Sequence, residues 1–284
     1  MASRQDVEFL SSGAELRGWL YLADGDSTAG IVMTHGLSAV KEMFLDEYAC
    51  AFAEAGFTTL VYDHYGFGAS DGEPRQSPSP RLQQQGYRDA VTWLSSLSTV
   101  NPKRIAIWGT SFSGGHVISL TTEDLPIAAA VAQVPFLSKG APRPPAGVLS
   151  ALSEHASDPQ ARVPATTDTE EGVGVMFLDG AHDWFTSVAS KRAPTWRNEL
   201  FVSGFLESAS WSPFEDLIRS NIPLLVIAAT NDTLTPPAAL FSDERTLPNV
   251  EVVKIPGNHF DAYQAGFDES SRAAIRFLKL HLQT

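Results

Sequence analysis

The sequence predicts an α/β fold, a mostly parallel sheet flanked by helices, with a helical cap inserted in its second half. Two observations carry that expectation. Short apolar runs of strand length alternate with segments of helical period, as parallel strands joined by crossover helices require. Each run is bounded by Gly, Pro, Asn or Asp, the residues that end strands and open turns. The length, 284 residues with 43% apolar, suits one large domain or a core carrying an insertion.

In chain order, residues 16–22 alternate apolar and polar and predict an early antiparallel strand. Residues 31–34, 58–62, 105–109, 128–134, 224–229 and 250–255 predict the central strands. Helical patterns fall between them at 43–55, 82–97, 113–121, 214–220 and 262–282. From 138 to 212 the rhythm stops. This stretch opens on the Pro-rich 141–145, passes a polar run at 166–171 and turns aromatic, with Phe177, Trp184, Phe185, Trp196, Phe201, Phe205 and Trp211. A bare loop of that length is uncommon inside a domain. The expectation is therefore a core of 1–137 and 213–284 with a mostly helical cap, 138–212, above the sheet. Most of the aromatics pack the cap onto the core, and a few line a pocket.

Lys and Arg number 20 against 33 Asp and Glu, a net charge of −13. Binding to a nucleic-acid backbone needs basic surface, so this composition argues against it. Cys50 is the one cysteine, which rules out an intrachain disulfide, and its helical surroundings predict a buried, inert thiol. The first residues lack the basic-then-apolar pattern of a signal peptide. No apolar run approaches bilayer length, the best being 223–229. A cytoplasmic protein is expected, with the oligomeric state left open, a homodimer included.

The chemistry centres on Gly109-Thr110-Ser111-Phe112-Ser113, where an apolar strand runs into a helix through a turn flanked by small residues. That is the form of a nucleophile elbow, which lifts Ser111 above the sheet. It also aims the helix N-terminus at any oxyanion that develops there. Ser113 stands where glycine is more usual and is small enough to fit. A serine hydroxyl needs a base to take its proton, and the base needs an orienting acid. Asp232 follows the strand 224–229, and His259 follows the strand 250–255, before the last helix. Strand, acid, strand, base is the required order. Asp261 is the rival acid, though its position suits an N-cap for the final helix. Thr34-His35-Gly36-Leu37 follows the first central strand. Backbone N–H groups of Leu37 and Phe112 are the expected oxyanion donors, with Gly36 allowing close approach and His35 bracing the loop.

Residues 63–70 follow a strand but lack the third spaced glycine and the helix of a dinucleotide site. Seven histidines show no metal-ligand spacing. Neither a cofactor nor a metal is expected.

These motifs resemble the α/β-hydrolase superfamily over nearly the whole chain: Thr34–Leu37, residues 62–70, 109–115, Asn231-Asp232 and Gly257-Asn258-His259. Residues 108–116 and 193–199 resemble its dienelactone-hydrolase-like and fungal polyketide-transferase branch more narrowly. Many superfamily members carry Arg where this chain has Tyr65. The resemblance implies cleavage of esters and lactones, or transfer of polyketide acyl groups to alcohols. A serine hydrolase acting on a small-molecule ester, thioester or lactone is the first expectation, and an acyltransferase using the same triad is the second. A non-catalytic binding protein has no need of three correctly ordered residues. Phe136, just after the strand that follows the elbow, and Trp184 and Phe185 of the cap are the expected pocket lining.

Overall fold

The chain opens on a hairpin, β1 (Ser3–Ser11) and β2 (Ala14–Leu22), turned by Ser12 and Gly13 at positive φ. Next come β3 (Thr28–Thr34), α1 (Leu45–Glu54), β4 (Phe57–Tyr62), α2 (Pro80–Ser95), β5 (Val100–Thr110), α3 (Phe112–Leu120) and β6 (Ala129–Gln133). The inserted stretch holds α4 (Ala146–His155), β7 (Arg162–Val163), α5 (Ala181–Asp183), β8 (Leu200–Phe201) and α6 (Val202–Glu207). The chain closes with α7 (Pro213–Leu217), β9 (Leu224–Ala229), α8 (Ala238–Ser242), β10 (Val250–Ile255) and α9 (Phe267–Leu282). The computed structural model describes residues 3–24, 28–141, 143, 146–155, 157–158, 160–169, 172–242, 247 and 249–282. Parts of the Pro-rich run (142, 144, 145) and of the polar run (170, 171) lie outside the described residues.

Eight strands form one sheet in the order β1-β2-β4-β3-β5-β6-β9-β10. β2 runs antiparallel to both neighbours, and the other pairings are parallel. The sequence reading placed β2 and the central strands but not β1. That strand sits at the sheet edge, and only Phe9 and Ser11 of its side chains are buried, so its apolar signal is weak.

Successive side chains of a strand point to opposite faces, so strands covered on both sides feed two cores. Ile31 and Met33 of β3, Ala106 and Trp108 of β5, and Leu225 and Ile227 of β9 join one core with Tyr48 and Phe52 of α1 and Phe277 of α9. Their neighbours Val32, Ile105, Ile107, Leu224 and Val226 join the other, with Tyr87 and Leu94 of α2, Val117 of α3 and Phe214 of α7.

The regular structure of the insertion is mainly helical, in short pieces. Among the described residues it holds, beyond α4 and α6, one turn of α5, a π-helix at Trp184–Val188, two short 3-10 turns and the two-residue pair β7–β8. Val148, Met176, Trp184, Phe185 and Leu200 nevertheless join the core of α1 and α9. Polar contacts tie it down on the same side. Arg192 forks onto Asp46, at 2.8 Å, and onto Glu47, while Thr195 donates to Glu42 at 3.0 Å. Cys50, expected to be buried, is half-buried on α1 with its thiol 3.8 Å from the Glu54 carboxylate.

Candidate active site

Ser111 joins β5 to α3 at φ 56° and ψ −119°, a backbone region that costs a non-glycine residue about 1–3 kcal/mol unless its surroundings enforce it. Two hydrogen bonds enforce it here: Ser111 N donates to Gln133 O and Phe136 N donates to Ser111 O, both at 2.8 Å. The turn is tight enough that a Cβ on Gly109 would lie 2.3 Å from Ser113 O. Ser113 does more than fit. Its hydroxyl donates to His35 O, and His64 Nε2 lies 2.7 Å from its Oγ. The His64 amide donates to His35 Nε2 at 3.1 Å, which leaves the proton on His35 Nδ1 for Gly36 O at 3.0 Å. His35 thus braces the loop as expected. Burial pushes both imidazoles below their ordinary value.

The loop after β3 presses against the serine. A Cβ on Gly36 would stand 2.8 Å from Ser111 Cβ and 3.3 Å from its Oγ. Phe112 is the first residue of α3, where amides have no intrahelical acceptor. Among the described residues, no acceptor takes the N–H of Leu37 or of Phe112.

Asp232 and His259 meet across the ends of β9 and β10. His259 Nδ1 lies 2.8 Å from Asp232 Oδ2, and the two residues are 2% and 5% exposed. His259 Nε2 has no partner among the described residues. Thr235, absent from the sequence reading, completes this corner. Its amide donates to Asp232 Oδ1 at 2.7 Å, and its hydroxyl lies 2.8 Å from Asp232 Oδ2, 3.0 Å from Val134 O and 3.1 Å from His259 Nδ1. A hydroxyl three residues after a carboxylate turn is a legible local signal, though not one that names a role. The rival acid, Asp261, is used otherwise. It completes a capping box with Asn258 on the 3-10 turn His259–Tyr263, accepting from Asn258 N at 2.7 Å, rather than capping α9.

Two cavities share Ser111, Leu37, Met176 and Leu234. The smaller, about 20 Å³, also borders His259 and is walled by Trp184, Phe185, Phe260 and Tyr263. Trp184 stacks on Phe260 with ring centres 4.6 Å apart, and it and Phe185 are 6% and 3% exposed. The larger measures about 450 Å³. Phe112, Phe136 and Trp211, in mutual ring contact at 5.0–5.8 Å, form part of its wall, and Met176, Phe177, Leu178, Phe205 and Leu206 come from the insertion. The structure therefore puts Phe136 on the large cavity and Trp184 and Phe185 on the small one. Among the described residues no group of His, Cys, Asp and Glu is arranged to hold a metal ion.

A family model described as "Alpha/beta hydrolase family" matches residues 31–269. A thiohydrolase of Eupenicillium brefeldianum is 32% identical over 83% of this chain and 80% of its own length. Polyketide transferase grgF of Penicillium sp is 30% identical over 98% and 97%. A crystal structure of alpha/beta hydrolase GrgF from Penicillium sp. sh18 superposes with a TM-score of 0.84 at 28% identity, covering 99% of this chain and all (100%) of that one.

Proposed function

The chain belongs to the alpha/beta hydrolase family, and from that premise we propose that it is a serine hydrolase cleaving a carboxylic ester, thioester or lactone through an acyl-enzyme on Ser111. The observation that carries the reading is the buried 2.8 Å contact between His259 Nδ1 and Asp232 Oδ2 beside a cavity that Ser111 and His259 share. With Nδ1–H donated to the carboxylate, Nε2 is left as the acceptor for the serine proton.

Ser111 Oγ attacks the carbonyl carbon as its proton passes to His259 Nε2. The carbonyl oxygen becomes an oxyanion that accepts from the N–H groups of Leu37 and Phe112. The tetrahedral intermediate collapses, and the leaving alcohol or thiol departs with the proton from His259. Water then attacks the acyl-serine, His259 takes its proton, and the free acid leaves with Ser111 restored. No cofactor enters these steps. The 450 Å³ cavity, walled largely by apolar and aromatic side chains, supports a bulky apolar small-molecule acyl substrate. No helix among the described residues is long and apolar enough to cross a membrane, and a cytoplasmic site of action fits that reading.

The same cavity favours a second reading, an acyltransferase moving a polyketide-type acyl group to an alcohol. The cavity's largely apolar lining would disfavour water beside an acyl-enzyme, and two relatives in sequence are named polyketide transferases. Product partitioning decides. The enzyme is loaded with a nitrophenyl ester and alcohols are titrated in. Free acid with every acceptor supports hydrolysis. Ester product at dilute alcohol supports transfer.

A further inference from the structure

We propose that Asp179, which lies in the insertion, is a positioning residue for the catalytic base. The inference rests on reading His259 as that base. Asp179 Oδ2 accepts from two amides, Thr233 N at 2.9 Å and His259 N at 3.2 Å, and Oδ1 accepts from the Thr233 hydroxyl. One carboxylate therefore clamps together the loop that carries Asp232 and the loop that carries His259. It reaches 54 residues along the chain to the first and 80 to the second. No other side chain from the insertion hydrogen-bonds either loop among the described residues.

The backbone is shaped for this contact. Asp179 sits at φ 56°, a left-handed conformation that Asp tolerates better than most residues, and Gly180 follows at φ 71°. The turn is closed by Ala181 N donating to Leu178 O at 2.9 Å and Trp184 N donating to Gly180 O at 3.0 Å. Immediately upstream, Met176, Phe177 and Leu178 form part of the large cavity's wall. The wall that receives the substrate thus ends in the group that holds the base. Charged acceptors make the stronger hydrogen bonds to amides, which suits a residue that must fix two loops against each other.

The mechanism then depends on Asp179 without Asp179 touching substrate. Loss of the clamp lets the His259 backbone shift relative to Ser111, and a displacement of about 1 Å costs on the order of a hundredfold in rate. Asp179 lines neither cavity, so substrate binding is expected to be spared.

The test compares Asp179→Ala and Asp179→Asn, with turnover of a chromogenic ester expressed per Ser111 labelled by a fluorophosphonate. In parallel, the low-field proton resonance of His259 Nδ1–H, assigned by its loss in His259→Ala, is recorded for each protein. Asp179→Ala is expected to lower kcat on the order of a hundredfold, with KM held within about twofold, and to broaden or abolish the resonance. Asp179→Asn keeps a carbonyl oxygen that can accept both amides, so it should retain most of kcat and the resonance. The proposal is overturned if kcat of Asp179→Ala stays within about threefold of the parent. It is equally overturned if Ala and Asn fall alike, or if the resonance is untouched in Asp179→Ala. Should the parent turn over no ester, the hydrolase reading fails, and the resonance comparison alone decides the positioning role.

Discussion

Gly36 lies so close to Ser111 that a methyl group on it would stand 2.8 Å from the serine Cβ. On the proposed mechanism, this contact is what lets the Leu37 amide serve the carbonyl that Ser111 attacks. Gly36→Ala must push the loop away, and displacing one oxyanion donor costs roughly a hundredfold or more in kcat. The prediction is that loss, with the circular dichroism spectrum preserved. A variant within a few-fold of the parent would mean that the loop supplies no donor.

Two aspartates near His259 have different jobs. Asp232→Asn replaces an acceptor facing Nδ1–H with a group that can present a donor, and the expected fall in kcat is about 10⁴-fold. Asp261→Asn weakens a capping box, which should cost about 1 kcal/mol of stability and little activity. Steady-state kinetics alongside urea unfolding separates the two. A larger activity loss for Asp261→Asn would reassign the acid.

The two cavities predict opposite consequences for aromatic truncation. Trp184 is buried against Phe260, so Trp184→Ala should cost about 3–5 kcal/mol of stability. Phe177 and Phe205 are half-buried on the large cavity, and truncating them should alter selectivity between short and long acyl esters with little change in Tm. Uniform loss across all chain lengths would remove the large cavity from substrate binding.

Much of this architecture was legible in the sequence for a simple reason. Strands β3, β4, β6 and β9 and residues 105–110 of β5 are buried and read as largely apolar runs, while Gly109 of the elbow is required by Ser113 O four residues on. β1 was not legible because an edge strand exposed at Asp6 and Glu8 looks like a polar terminus. The helices of the insertion could not be bounded in the sequence because its aromatics follow no period. They are spaced by the cavities and core they pack against rather than by any one helix. Asp179 could not be read as a site residue because its partners Thr233 and His259 are brought near only by the fold, and Thr235 showed only its local contact to Asp232, not those to Val134 and His259.

Three buried histidines make stability depend on pH. Desolvation pushes His116 down to about 3 and holds His64 well below the ordinary value of 6.5, while His35 is also lowered. Above pH 6.5 these groups are neutral in both folded and unfolded chains. Below it the unfolded chain takes up protons that the folded one refuses, so stability falls as pH falls, until the folded histidines themselves titrate. Each contributes up to about 1.4 kcal/mol per pH unit in that window. Urea midpoints measured from about pH 7.5 to about pH 5 should therefore decline, and His116→Gln should flatten the slope. A midpoint independent of pH over that range would contradict the buried, neutral state.

The covalent intermediate tests the central claim most directly. The enzyme is quenched in acid during turnover of a slow ester, and its intact mass and peptides are measured. The account predicts a mass gain equal to the acyl group, carried by the peptide containing Ser111, and neither gain nor turnover in Ser111→Ala. Turnover that persists in a folded Ser111→Ala protein, or an acyl group found on a different residue, would contradict it.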